Sequence, residues 1–97
     1  MEHVRVAVYG ITGGDFHEVS RKAEEGMLPA FRRQPGFVSY GLAQISDTSC
    51  MSVSVWQSRD AAKEAVKLAD DWVRDNIPDL IKLENQYVGE FGFLGRA

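Results

Sequence analysis

The chain has 97 residues, 44% of them hydrophobic, and its 11 lysines and arginines against 14 aspartates and glutamates leave a net charge of −3. That length supports a single domain, residues 1–97, with one core small enough that subunit association would matter to stability. Acids and bases interleave without a basic run, and no apolar stretch reaches the roughly 18 residues a bilayer span needs, so neither a nucleic-acid nor a membrane partner is expected.

The N-terminus Met1-Glu2-His3-Val4-Arg5 lacks a signal-peptide layout, and the lone Cys50 excludes an internal disulfide. Both point to a cytoplasmic protein. Val4-Arg5-Val6-Ala7-Val8-Tyr9 alternates β-branched residues and reads as a first strand. The glycine-rich stretch Gly10 to Gly14 ends it; without a G-x-G-x-x-G pattern this is a turn rather than a dinucleotide loop. Asp15 stands where an N-cap belongs, with Glu18 three residues on, close to a capping box.

The helix that follows carries Phe16, Val19, Ala23, Met27, Ala30 and Phe31 on one stripe. Pro29 lies inside it and cannot donate to the Glu25 carbonyl, which predicts a kink or a break into a short final turn. In Gln34-Pro35-Gly36 the proline fixes φ at one corner and the glycine supplies φ > 0 at the next. Phe37 to Ile45 is a second strand, Ser46-Asp47-Thr48-Ser49 a polar hairpin loop, and Met51 to Trp56 a third strand. Ser58 caps a second helix with an inner stripe of Ala62, Ala65, Val66, Ala69, Trp72 or Val73, and Ile77, and Pro78 stops it. Leu80 to Glu84 reads as a connector and Gln86 to Phe93 as the last strand, with Gly89 and Gly92 marking bulges or bends.

The order strand, helix, strand, strand, helix, strand predicts an α+β, ferredoxin-like βαββαβ domain: a four-stranded antiparallel sheet with both helices on one face. Alternation assigns Val4, Val6, Val8, Met51, Val53 and Val55 to the floor beneath the helices. Arg5, Ala7, Tyr9, Ser52, Ser54 and Trp56 then fall on the opposite face, and a one-residue slip would exchange the two sets. Both faces carry apolar groups, so the uncovered one calls for a partner, and a homodimer with facing sheets is expected.

The Gln34-Pro35-Gly36-Phe37 joint, the Val55-Trp56-Gln57-Ser58 junction, Asp60-Ala61-Ala62 and Trp72-Val73-Arg74-Asp75-Asn76 together resemble the antibiotic biosynthesis monooxygenase (ABM) family of dimeric α/β barrels. The last stretch is similar to a subgroup of small uncharacterised bacterial proteins. The resemblance spans nearly the whole chain and implies that fold and a homodimer. It also implies one of several chemistries: oxygenation of polycyclic phenols without metal or flavin, oxidation of small quinols, or haem degradation. The haem-degrading branch needs an Asn on the first strand, plus a Trp near Ala65 and an axial His near Asp75. None of the three is present, which argues against haem.

Oxygenation without a cofactor asks for a dry aromatic pocket and a few polar groups that stabilise a phenolate. Tyr9, Tyr40, Ser52, Ser54, Trp56 and Trp72 are the substrate-binding candidates; no catalytic residue stands out. Each has a plainer reading as well. Trp56 is a pocket wall or a core indole with a satisfied N–H, Trp72 a ligand contact or a packing residue, and the tyrosines ordinary strand aromatics. The alanines of the second helix either bring it close to the sheet or leave room for a ligand.

His3 and His17 sit on separate elements with no His-x-x-x-His spacing, so no metal site is expected, and neither flavin nor haem. Cys50 has no base near it in sequence and reads as an inert thiol. Two functions stand side by side: a cofactor-independent monooxygenase for a small aromatic or quinol-type substrate, and a dimeric binding or housekeeping protein that uses the same cavity without turnover.

Overall fold

The computed structural model describes all 97 residues. Four strands, β1 (His3–Ile11), β2 (Phe37–Ser46), β3 (Ser49–Trp56) and β4 (Ile81–Glu90), form one antiparallel sheet in the order β2-β3-β1-β4. A first helical run comprises α1 (Phe16–Lys22), a π turn (Ala23–Met27) and α2 (Leu28–Arg32); the second helix is α3 (Arg59–Asn76). This is the α+β, ferredoxin-like architecture that the order of elements predicts.

Both helix starts are built by short side chains. The Asp15 carboxylate accepts from the Glu18 N–H at 2.9 Å and the Ser58 hydroxyl from the Ala61 N–H at 3.1 Å, each satisfying a backbone donor the helix cannot. Gly36 adopts φ +85°, the left-handed corner that closes the first half of the fold. The distortion in the first helical run lies ahead of Pro29 rather than at it. Leu28 N–H reaches the Ala23 carbonyl, five residues back, and the run widens into a π turn. A proline ring presses on the carbonyl four residues before it, so the turn containing Glu25 is the one that must open.

Three sequence expectations need correction. The last strand starts at Ile81, not Gln86, and ends at Glu90. Its irregularity is at Glu84, where the pairing steps from Val8↔Asn85 to Tyr9↔Leu83; Gly89 pairs regularly with Val4. A bulge breaks period-two alternation, so the residues before it read as a connector. β1 likewise runs on through Gly10 to Ile11.

The third correction concerns the faces of the sheet. Arg5, Ala7, Tyr9, Cys50, Ser52, Ser54 and Trp56 are buried beneath the helices, whereas Val4, Val6, Val8, Met51, Val53 and Val55 are only half-buried, on the open face. Alternation sets the period but not the side. Size complementarity sets the side: Ala62, Ala65 and Ala69 of α3 are fully buried and contribute almost no volume. Trp56 and Phe31 fill the space that valines would leave empty against such a stripe.

The core has two centres. One groups Phe31, Trp56 and the alanines of α3; the other groups Ala7, Tyr9, Val19, Cys50, Ile77 and Ile81. Leu42, Trp72 and Val73 pack against both.

Candidate functional site

Where these two centres meet lies a small, partly open cavity with about 20 Å³ of room for the centre of a water molecule, space for about one water. Its floor is the sheet: Tyr9 from β1, Ser52 from β3, Tyr40 and Leu42 from the edge strand β2, and Ile81 where β4 begins. Its roof comes from Val19, Ala23 and Met27 of the first helical run and from Trp72, Val73 and Ile77 at the end of α3. The i, i+4 spacing of Val19, Ala23 and Met27 aims all three at the sheet. Gly26 lies under the Trp72 indole so closely that a Cβ there would stand 2.6 Å from its Cζ2. The glycine lets Trp72 fold down as a wall.

Of the six candidates, Tyr9, Tyr40, Ser52 and Trp72 meet at this void, and Ser54 and Trp56 do not. The Trp56 side chain is 0% exposed, its N–H donates to Ser54 Oγ at 2.8 Å, and it packs edge-on against Phe31 at 5.2 Å and Phe37 at 5.4 Å. These contacts correspond to the plainer reading of Trp56, a core indole whose polar atom is satisfied by its neighbour two residues away.

The side-chain polar groups on the wall are the hydroxyls of Tyr9, Tyr40 and Ser52 and the indole N–H of Trp72, all of them uncharged. Burial pushes the Tyr40 phenol up to about 12, with Ser52 and Arg5 pulling more weakly the other way. Tyr40 therefore keeps its proton and acts as a donor, not as a base. Burial also pushes up the Cys50 thiol, which removes it as a nucleophile at neutral pH.

Sequence reasoning missed Arg5. It is 0% exposed, and the only charged side chain buried in the chain. Its Nε donates to Gln86 Oε1 at 3.0 Å, and its terminal nitrogens donate to Ser52 Oγ at 3.3 Å and Tyr9 OH at 2.9 Å. Its position among small and aromatic residues of one strand face was the available signal, but with the faces exchanged it fell on the face away from the helices. The hydrophobic walls Val19, Met27, Leu42 and Ile81 were equally indistinct from ordinary core.

No group of three His, Cys, Asp or Glu side chains is placed to hold a metal. His17 is exposed at the start of α1, and His3 lies 3.8 Å from Glu90 at the far end of the sheet. No helix is long and apolar enough to cross a membrane.

Solved structures with this fold include SnoaB of Streptomyces nogalater, named a cofactor-independent oxygenase. A point mutant of SnoaB superposes with a TM-score of 0.74 over 96% of this chain and 95% of its own, at 20% identity. A protein of Nitrosomonas europaea provisionally assigned as an antibiotic biosynthesis monooxygenase matches with a TM-score of 0.66 over 96% of this chain and 90% of its own, at 21% identity. NE2512, also of Nitrosomonas europaea and of unknown function, matches with a TM-score of 0.76 over 100% and 96% of the two chains, at 11% identity. No family model matches the chain, and no curated protein matches it by sequence. The protein thus has the ABM-like fold, a βαββαβ sheet roofed by two helical runs around a small apolar cavity. SnoaB is the named oxygenase to which its fold is similar.

Proposed function

We propose that this protein is a cofactor-independent monooxygenase that oxidises a small aromatic or quinol-type substrate in the cavity of each subunit. The observation that carries this reading is the composition of the wall: apolar except for the uncharged donors of Tyr9, Tyr40, Ser52 and Trp72. A dry cavity with hydrogen-bond donors suits a substrate that must ionise at oxygen and react at carbon. The deprotonated carbon skeleton passes an electron to O₂, the radical pair joins as a C–O bond, and the hydroperoxide loses water to leave a carbonyl. The balance, R₂CH₂ + O₂ giving R₂C=O + H₂O, draws all four electrons that reduce O₂ from the substrate and needs no reductant. The protein's part is to exclude water, orient the ring against Trp72 and Met27, and donate to the developing oxyanion.

A second reading, binding without turnover, is favoured by one specific feature. No carboxylate, imidazole or amine lies on the wall to take the substrate's proton, and Tyr40 is held neutral. Oxygen-electrode traces on a panel of anthrones and hydroquinones, with a thermal-shift screen of the same compounds, separate the two. Catalysed uptake supports the oxygenase; stabilisation by a panel member with no uptake above the uncatalysed rate supports the binding protein.

The reading includes a homodimer. The open face presents Val4, Val6, Val8, Met51, Val53 and Val55 on the two central strands. Small residues Ser39, Gly41 and Ala43 stand opposite the β3 members of this set, and Tyr87, 62% exposed, opposite Val6. Such a face favours a second copy of itself: each 100 Å² covered is worth about 2.5 kcal/mol before association costs. Cytoplasmic residence belongs to the same proposal, supported by the single buried thiol.

A further inference from the structure

The cavity as it stands has room for about one water, whereas a pocket for a small molecule takes roughly 300–1,000 Å³. A ring enters only if part of the wall moves, and the three aromatic side chains of the wall are not held alike. The Tyr9 hydroxyl accepts from Arg5 at 2.9 Å, and Tyr40 stands edge-on to Phe31 at 4.9 Å. Trp72 is half-buried and takes part in no aromatic pair. Its indole N–H makes no hydrogen bond, and since no buried side-chain nitrogen lacks a partner, that edge of the ring reaches water.

Trp72 rests on an irregular stretch of helix. Gly26 lies in the π turn Ala23–Met27, where a Cβ would stand 2.6 Å from Cζ2 and 2.9 Å from Nε1 of the indole. Glycine and a π turn each weaken a helix, and both fall where the indole touches it. Outside the ring is a cleft with about 250 Å³ of room, lined by Lys22, Glu25, Gly26 and Asn76. Trp72 and Ile77 line both cleft and cavity, so the indole is the partition between them. Asn76 Nδ2 donates to the Trp72 carbonyl at 2.9 Å, which holds the backbone from which the ring turns. The cleft also offers the acceptors that the indole N–H lacks, the Glu25 carboxylate and the Asn76 carboxamide oxygen.

We propose that Trp72 is the gate of the cavity and Gly26 the seat on which it closes. Turning about χ1 and χ2, the indole leaves Gly26 for the outer cleft, gives its N–H to Glu25 or Asn76, and vacates the space of a flat aromatic ring. An uncharged aromatic ligand takes that space, and the displaced indole stands at the rim as its outer wall. The proposal rests on the cavity being the ligand site but not on turnover.

The experiment is ¹⁹F NMR on the 97-residue chain labelled with 5-fluorotryptophan, whose two resonances are assigned with Trp72→Phe. The probe is free indole, a ring of the same shape as the one it displaces. Saturating indole should move the Trp72 resonance toward its solvent-exposed position and leave that of Trp56 in place. Gly26→Ala denies the indole its seat, so the Trp72 resonance should lie near the open position before any indole is added. A gate open in about a tenth of molecules or fewer lowers apparent affinity by the same factor. Gly26→Ala and Trp72→Phe should therefore each bind indole about tenfold more tightly or better. If Gly26→Ala fails to fold, the wild-type titration and Trp72→Phe decide the matter.

Saturable binding that a cavity-filling Leu42→Phe abolishes, with the Trp72 resonance unmoved, overturns the gate while leaving the cavity as the ligand site. No binding to wild type, Gly26→Ala and Trp72→Phe alike, or binding that Leu42→Phe leaves unchanged, overturns both. A displaced Trp72 combined with no oxygen uptake on the anthrone and hydroquinone panel sustains the gate and refutes only the oxygenase.

Discussion

Replacing Trp56 by alanine tests whether the core or the cavity owns that side chain. The indole is wholly buried, sits edge-on to Phe31 and Phe37, and makes its one hydrogen bond to Ser54. A buried tryptophan removes roughly 150–250 Å² from water, which at about 25 cal/mol/Å² is roughly 4–6 kcal/mol. Alanine recovers a little of this, partial collapse of Phe31 and Phe37 a little more, and the unpartnered Ser54 hydroxyl adds a cost. The expected loss is therefore about 3–5 kcal/mol, the range for Trp or Phe truncation in a closed core. Against a total stability of about 5–15 kcal/mol for a single domain, that is a severe change.

The assay is urea unfolding followed by circular dichroism at fixed protomer concentration, because the midpoint of the proposed homodimer would depend on it. Trp72 remains as an independent fluorescent reporter. Affinity for indole, measured on folded variant at low temperature, should change little, since Trp56 is not on the cavity wall. A stability loss below about 2 kcal/mol at unchanged m-value, far short of a closed-core truncation, together with a large loss of affinity, would refute this placement of Trp56.

The Tyr40 phenol should ionise near pH 12 against an ordinary value of 10.0. Its neutral form is favoured by the fold, so the associated stability is complete below pH 10 and is lost as the pH rises through about 12; an ultraviolet titration of wild type against Tyr40→Phe reads the missing step. Gly26→Ala places a Cβ against the Trp72 ring. It should cost about 1–3 kcal/mol as overpacking and shift the Trp72 emission; an unchanged spectrum and midpoint would mean the indole does not rest there. Val53→Glu on the open sheet face should convert a homodimer to monomer in sedimentation at micromolar concentration without unfolding the domain, and a dimer that persists would place the interface elsewhere.

The sequence carried the architecture because each junction has its own local chemistry. Asp15 and Ser58 cap, Gly36 turns, and Pro78 follows the last residue of α3 by two; none of these depends on distant contacts. The side of the sheet that faces the helices was not legible, because Val4 and Arg5 alternate identically whichever face is up, and only the alanines of α3 distinguish them. The start of β4 was hidden by the Glu84 bulge for a related reason: the pattern that identifies a strand is the one a bulge interrupts. Four of the six candidate side chains do converge on the cavity: Tyr9 and Ser52 because alternate positions of β1 and β3 share a face, Tyr40 from β2 and Trp72 from α3. Arg5 could not be singled out, because what sets it apart is burial without a counter-charge, and sequence does not display an absence in space.

The π turn has a consequence for phase. Val19, Ala23, Met27 and Phe31 recur at strict four-residue steps, and all four are buried. In an ideal α-helix a four-residue step overshoots a full revolution by about 40°, so three such steps would carry Phe31 about 120° around the rod from Val19. The turn between Ala23 and Met27 spends more residues per revolution and winds that drift back. The helix works as a vernier: one slower graduation realigns two scales that would otherwise part. Val19 can then line the cavity while Phe31 anchors the aromatic cluster, both on the buried side of the rod.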